Sequence, residues 1–85
     1  MAAVEIYTTT RCGYCLRAKD LLDERGVEYE EIDVTDDDVK RAWLVEHTGG
    51  RRKVPQIFIH GRSIGGFAEL RELDRSGELQ KLVIP

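Results

Sequence analysis

The sequence predicts an α/β fold, a four-stranded mixed sheet flanked by three helices in the order β-α-β-α-β-β-α. Three observations predict it. Short β-rich runs alternate with stretches of helical periodicity. The first three such segments form a β-α-β unit, which joins parallel strands by a right-handed crossover. The last two strand-like runs are separated only by His60-Gly61, a tight-turn signature that makes them an antiparallel hairpin.

The first strand is Val4 to Thr8, with Val4, Ile6 and Thr8 on one side. Polar Thr9-Thr10-Arg11 follows, then a helical pattern from about Gly13 to Arg25, with Cys15, Ala18 and Leu22 on one face and Leu21 beside them. Gly26 supplies a C-terminal stop. Val27 to Val34 reads as the second strand, but its alternation leaves the inward face open. Thr35 to Asp38 offers N-cap candidates and negative charge for a second helix. On that helix Val39, Ala42, Trp43 and Glu46 share a face, and Trp43 reads as core or rim packing. Gly49-Gly50 ends it. Val54 to Ile59 is the most β-like run, with Pro55 confined to its beginning or to an edge. Arg62 to Ile64 returns, and Gly65-Gly66 breaks the pattern. Phe67, Leu70 and Leu73 mark the final helix, with Leu79, Leu82 and Val83 extending the apolar set beyond Gly77. Helices on both faces of such a sheet give a thioredoxin-like layout.

At 85 residues the chain is expected to form one domain, residues 1–85, whose folding buries only roughly 60–65% of the surface of the unfolded chain. One thin core of that size leaves no deep cavity, so a ligand must lie in a surface groove. With 41% hydrophobic and 34% charged residues the chain has the balance of a folded soluble domain. Its net charge of −3 argues against general nucleic-acid binding. No run approaches the ~20 apolar residues of a membrane span. Met1-Ala2-Ala3-Val4-Glu5 has neither a basic region nor an apolar signal core, so a cytoplasmic location and no membrane partner are expected.

In a reducing compartment two cysteines point to catalysis or metal binding more than to a permanent staple. Cys12-Gly13-Tyr14-Cys15 falls where a strand gives way to a helix, the position of a redox-active pair. The thiolate is the nucleophile, yet a free thiol with a pKa near ~8.5 is only a few per cent ionised at neutral pH. Lowering that value by ~3 units requires roughly 4 kcal/mol of preference for the anion. A helix N-terminus supplies up to about 2 kcal/mol, so N–H donors or cations near Cys12 must supply the rest. Arg11 is the adjacent candidate cation, or else a solvent-facing residue. Cys15, one turn along, would be more buried and able to reach back to Cys12. A zinc site would need His47 and His60, whose spacing matches no zinc finger; they read as surface or turn residues.

Three motifs in order resemble the glutaredoxin family, and the likeness covers nearly the whole chain. They are Cys12-Gly13-Tyr14-Cys15, Val54-Pro55-Gln56-Ile57-Phe58-Ile59 and Ile64-Gly65-Gly66, and the opening Val4-Glu5-Ile6-Tyr7-Thr8 is similar to that of bacterial dithiol members. The resemblance implies a glutathione-dependent thiol–disulfide oxidoreductase acting on disulfide-containing or glutathionylated proteins and small molecules, as a monomer. Cys12 would attack, and Cys15 would resolve dithiol reactions. Glutathione would bind as co-substrate along Arg11, Tyr14, the backbone of Val54, a cis Pro55, and the Gly66 and Phe67 amides at a helix N-terminus. At least one of Arg51, Arg52 and Lys53 would attract its glycine carboxylate, Lys53 standing next to Val54.

Gly13 stands where proline is commonest in the family, Thr9 where lysine is usual, and Ala68, followed by Glu69, where Asp or Ser helps hold the γ-glutamyl group. These departures keep two alternatives open. One is a glutaredoxin-like protein reduced by thioredoxin reductase. The other is a carrier or sensor of a [2Fe–2S] cluster, ligated by Cys12 and bridged by glutathione, which rests on Gly13 alone.

Overall fold

The computed structural model describes residues 2–84; Met1 and Pro85, the ends of the expected 1–85 domain, lie outside the described residues. Strand β1 (Val4–Thr8) lies inside the sheet, between β2 (Tyr29–Asp33) and β3 (Gln56–Ile59), and β4 (Arg62–Gly65) forms the far edge. β1 runs parallel to β2 and antiparallel to β3, and β3 runs antiparallel to β4. The helices are α1 (Gly13–Glu24), α2 (Asp38–His47), α3 (Phe67–Ser76) and the short α4 (Glu78–Leu82). The mixed sheet and its thioredoxin-like order are those the sequence predicts. His60 and Gly61 both take positive φ, 50° and 79°, as the two central residues of a tight hairpin do. The expected third helix is interrupted at Gly77, whose φ of 81° is the left-handed conformation that ends a helix, and the chain restarts as α4. Among the described residues no helix is long and apolar enough to cross a membrane.

Alternation along the central strands feeds two cores. Val4 and Ile6 of β1 join Ile57 and Ile59 of β3, Ala18 and Leu22 of α1, Leu70 of α3 and Leu79 of α4. On the opposite face Tyr7, Phe58 and Val34 meet Leu44 of α2. A sheet covered on both sides explains why β2 shows no single inward face. Val27 and Tyr29 pack into the first cluster, Ile32 and Val34 into the second. The backbone pairs of β2 and β3 begin at Tyr29 and Gln56, later than the apolar runs from Val27 and Val54 suggest. Val27 and Pro55 are buried nonetheless.

The face that α2 buries lies about two residues, or about 200°, round the helix from the expected Val39, Ala42, Trp43 and Glu46. Leu44 is its buried residue, with Arg41 and Val45 half-buried beside it and Thr48 just beyond the helix, while Val39 is 82% exposed. Trp43 lies at the rim, 5.7 Å from the rings of both Tyr7 and Phe58 and stacked on His47 at 4.1 Å. Trp43 dominates the periodicity of the sequence, yet a helix of this length covers one thin cluster, and the compact Leu44 fills it.

Arg25, at the end of α1, forks onto Asp74 of α3 with N···O distances of 2.7 and 3.0 Å. Those hydrogen bonds and the positive charge hold the Asp74 carboxyl below the ordinary carboxylate range. Thr35 acts likewise on Asp33 through hydroxyl and backbone N–H, and the Gly66 N–H, followed by Arg51, does so on Glu69. A carboxyl depressed in the folded state contributes stability above its unfolded pKa of roughly 4, and loses it as pH falls through the folded value. Urea denaturation of the wild type should therefore show stability falling steadily once pH drops below about 5. Asp74→Asn should be less stable than wild type at neutral pH and should lose less on acidification. Equal acid sensitivity in the two proteins would remove Asp74 from this account.

Candidate active site

The loop after β1 is fixed before it reaches the cysteines. The Thr10 N–H donates to Thr35 Oγ1 at 2.9 Å, and the hydroxyl and N–H of Thr35 both bond Asp33. Cys12 is then the N-cap of α1, with extended backbone (φ −135°, ψ 103°). Its sulfur takes the part that an N-cap oxygen usually plays, accepting the Cys15 N–H at 3.1 Å. Cys12 and Cys15 are joined as a disulfide, with 5.2 Å between their Cα atoms. Cys12 is half-buried, whereas Cys15 is 2% exposed and packed on the core side of α1. Gly13 begins α1, and a Cβ there would meet nothing within 4 Å.

When the disulfide opens, the Cys15 N–H already points at the sulfur of Cys12. A hydrogen bond to a charged acceptor is worth about 1.5–3 kcal/mol, and a helix terminus up to about 2 kcal/mol. Both act in favour of the anion at Cys12, and both come from the first turn of α1. Arg11, offered above as a candidate cation and as a glutathione contact, is exposed and does not line the groove described next; the solvent-facing alternative describes its place.

A groove of about 630 Å³ opens between the start of α1, the 50–56 segment and the start of α3. It brings together Tyr14, Lys53, Val54, Pro55, Gly66 and Phe67, six of the positions singled out in the sequence. The Val54–Pro55 peptide bond is cis, and the Val54 carbonyl oxygen lies 3.7 Å from Cys12 Sγ. The segment is braced from both sides. The Gln56 side-chain amide donates to the Lys53 carbonyl at 2.8 Å, and the buried Thr48 hydroxyl reaches the carbonyls of Leu44 and Arg51 at 2.6 and 3.2 Å. At the start of α3 the Glu69 carboxylate accepts the Gly66 N–H at 2.7 Å and pairs with Arg51 at 3.2 Å.

Five residues absent from the sequence-based site also line this groove: Arg17, Gly50, Gln56, Glu69 and Arg71. Tyr14 and Phe67 meet across it with ring centroids 5.9 Å apart, and each carries a guanidinium. Arg17 lies 5.3 Å from the Tyr14 ring and Arg71 5.7 Å from the Phe67 ring, contacts worth about 0.5–1 kcal/mol each at exposed sites. An aromatic residue followed by Arg three or four positions later on a helix is the sequence signal for such a pair. His47 and His60 are exposed and far apart in the chain. Among the described residues no group of three or more His, Cys, Asp or Glu is placed to hold a metal ion.

Comparison with known proteins gives the same picture. Residues 4–64 match the protein-family model described as Glutaredoxin. Glutaredoxin 3 of Escherichia coli K12 is 45% identical over 83 residues, spanning 98% of this chain and 99% of that protein. The solution structure of a glutaredoxin from Brucella melitensis superposes with a TM-score of 0.85 at 42% identity, over 98% of this chain and 89% of that one. The crystal structure of a buckwheat glutaredoxin–glutathione complex does so with a TM-score of 0.86 at 35% identity, over 96% and 76%.

Proposed function

The chain belongs to the glutaredoxin family and is a thiol–disulfide oxidoreductase, and we propose that glutathione is its reductant and that glutathionylated and disulfide-bonded proteins are its substrates. The observation that carries this reading is the groove between the Lys53–Pro55 backbone and the start of α3, a seat of tripeptide size whose Val54 carbonyl lies 3.7 Å from Cys12 Sγ. The Val54 backbone offers strand-like pairing to an extended peptide. The Gly66 N–H, expected to meet the ligand, is already taken by Glu69, so helix α3 offers one carboxylate its Phe67 and Ala68 amides, and Lys53 lines the groove for the other.

In this reading the Cys12 thiolate attacks the glutathione sulfur of a mixed disulfide. The sulfur–sulfur bond to the substrate breaks, and the substrate leaves as a thiolate that takes a proton from water. Cys12 then carries glutathione. The thiolate of a second glutathione attacks the same glutathione sulfur, releases glutathione disulfide and returns the electron pair to Cys12. With a protein disulfide, Cys12 attacks first and Cys15 closes the internal disulfide, expelling the second thiol of the substrate.

Turnover of a glutathionylated peptide, measured with glutathione plus glutathione reductase and separately with thioredoxin reductase, tests the choice of reductant. The glutathione system should be faster by about tenfold or more, since that difference is only about 1.4 kcal/mol of transition-state preference. Faster turnover with thioredoxin reductase would replace glutathione as the reductant and leave the oxidoreductase assignment intact.

A further inference from the structure

The groove holds five of the chain's 13 Lys and Arg residues but one of its 16 Asp and Glu residues. A chain of net charge −3 therefore concentrates positive charge beside its cysteines. Glu69, the single carboxylate, is already engaged by Arg51 and by the Gly66 N–H. Lys53 and its neighbours lie beside Val54, where the glutathione reading uses at least one of them. Arg17 and Arg71 are surplus to that reading. They stand on two different helices, each laid over an aromatic ring, and form no ion pair among the described residues. Stacking on Tyr14 and Phe67 narrows the conformations of both guanidinium groups, so less freedom is lost when they engage an anion.

We propose that Arg17 and Arg71 form a rim that selects polypeptide substrates carrying Asp or Glu close to the reacting cysteine. The proposal adds a substrate class to the oxidoreductase assignment and rests on the groove being where the substrate backbone runs. The reach is suitable. Arg17 lies five residues beyond Cys12 along α1, about 7.5 Å of helix axis. An extended chain covers that distance in two to three residues at about 3.3 Å each. An acidic side chain two or three positions from a cysteine attacked by Cys12 therefore comes within range of the rim. Like charge at that position would meet two guanidiniums with no compensating carboxylate. Opposite charge would also raise the encounter rate, in a salt-dependent way.

The test needs no glutathione, so it stays readable even if glutathione is not the reductant. Two peptides are prepared, identical except for Asp/Glu or Lys flanking one cysteine, each as its mixed disulfide with thionitrobenzoate. The reduced protein attacks the peptide sulfur through Cys12, thionitrobenzoate leaves and is measured by its colour, and Cys15 then displaces the peptide thiol as the internal disulfide forms. At low ionic strength the acidic peptide should react about tenfold faster or more. The preference should shrink in about 1 M salt, where screening acts within about 3 Å. In the Arg17→Gln, Arg71→Gln double variant the ratio of the two rates should fall toward one, and in Arg17→Glu, Arg71→Glu it should invert. Each ratio is taken within one protein, so a general loss of rate does not obscure it. Rates within twofold of each other in the wild type, or an undiminished ratio in the double glutamine variant, would overturn the proposal.

Discussion

Cys12→Ser should lower turnover of a glutathionylated peptide to about a hundredth of wild type or less, because a serine hydroxyl is not ionised where the thiol is. Cys15→Ser should stay within about threefold of wild type on the same substrate. The asymmetry follows from burial and from the identity of the donor. Cys12 is half-buried at the mouth of α1, whereas Cys15 is 2% exposed and cannot meet a substrate directly. What Cys15 gives the nucleophile is its backbone N–H, 3.1 Å from Cys12 Sγ, and serine keeps that donor. What serine removes is the second sulfur, needed only when a protein disulfide must be closed out intramolecularly. Reduction of a protein disulfide should therefore collapse in Cys15→Ser while deglutathionylation persists. Loss of both activities together would show that the buried thiol takes part in every turnover, and the single-thiol step proposed here would be wrong.

The placement of the two cysteines behind that prediction is legible in the sequence, because it depends on sequence-local features. A strand, a polar lead-in and an apolar helical stripe place Cys12 at the N-terminus and Cys15 one turn inward. The order of elements along the chain and the hairpin at His60-Gly61 were legible for the same reason. Features set by packing between distant segments were not. The buried face of α2 depends on which side chain fills the space over Tyr7 and Phe58, and Leu44 does so although Trp43 carries the stronger pattern. The Arg51–Glu69 pair joins residues 18 apart across the groove. Arg17 and Arg71 look like any solubilising helix residues until the fold sets Tyr14 against Phe67. Arg11 is exposed and outside the groove, while the first turn of α1 carries a donor to the Cys12 sulfur itself.

The second large effect belongs to Gly65, at the end of β4, where the strand leaves the sheet for α3. Its φ of 113° lies in a region that L side chains rarely adopt, which costs on the order of 1–3 kcal/mol for any other residue. A Cβ there would also stand 2.5 Å from Glu69 Oε1 and 2.6 Å from Arg51 Nη1. Both are ends of flexible side chains and would move, so the collision itself is relieved at the expense of the surface ion pair, worth about 1 kcal/mol or less. The Glu69 hold on the Gly66 N–H would go as well, a capping contact of typically about 1 kcal/mol. Gly65→Ala should thus destabilise the protein by about 2–4 kcal/mol, a large share of the 5–15 kcal/mol that holds a domain folded. The backbone contributes more than the collision. Adding Glu69→Ala to Gly65→Ala should therefore fail to restore stability in urea denaturation, although it removes the carboxylate that the new methyl group meets. Full recovery in that double variant would place the cost in crowding instead of backbone conformation. The groove should register the change too, since Arg51 and the start of α3 form two of its sides. KM for a glutathionylated peptide should rise more than kcat falls, as expected when binding surfaces shift and the cysteine pair, at the start of α1, does not.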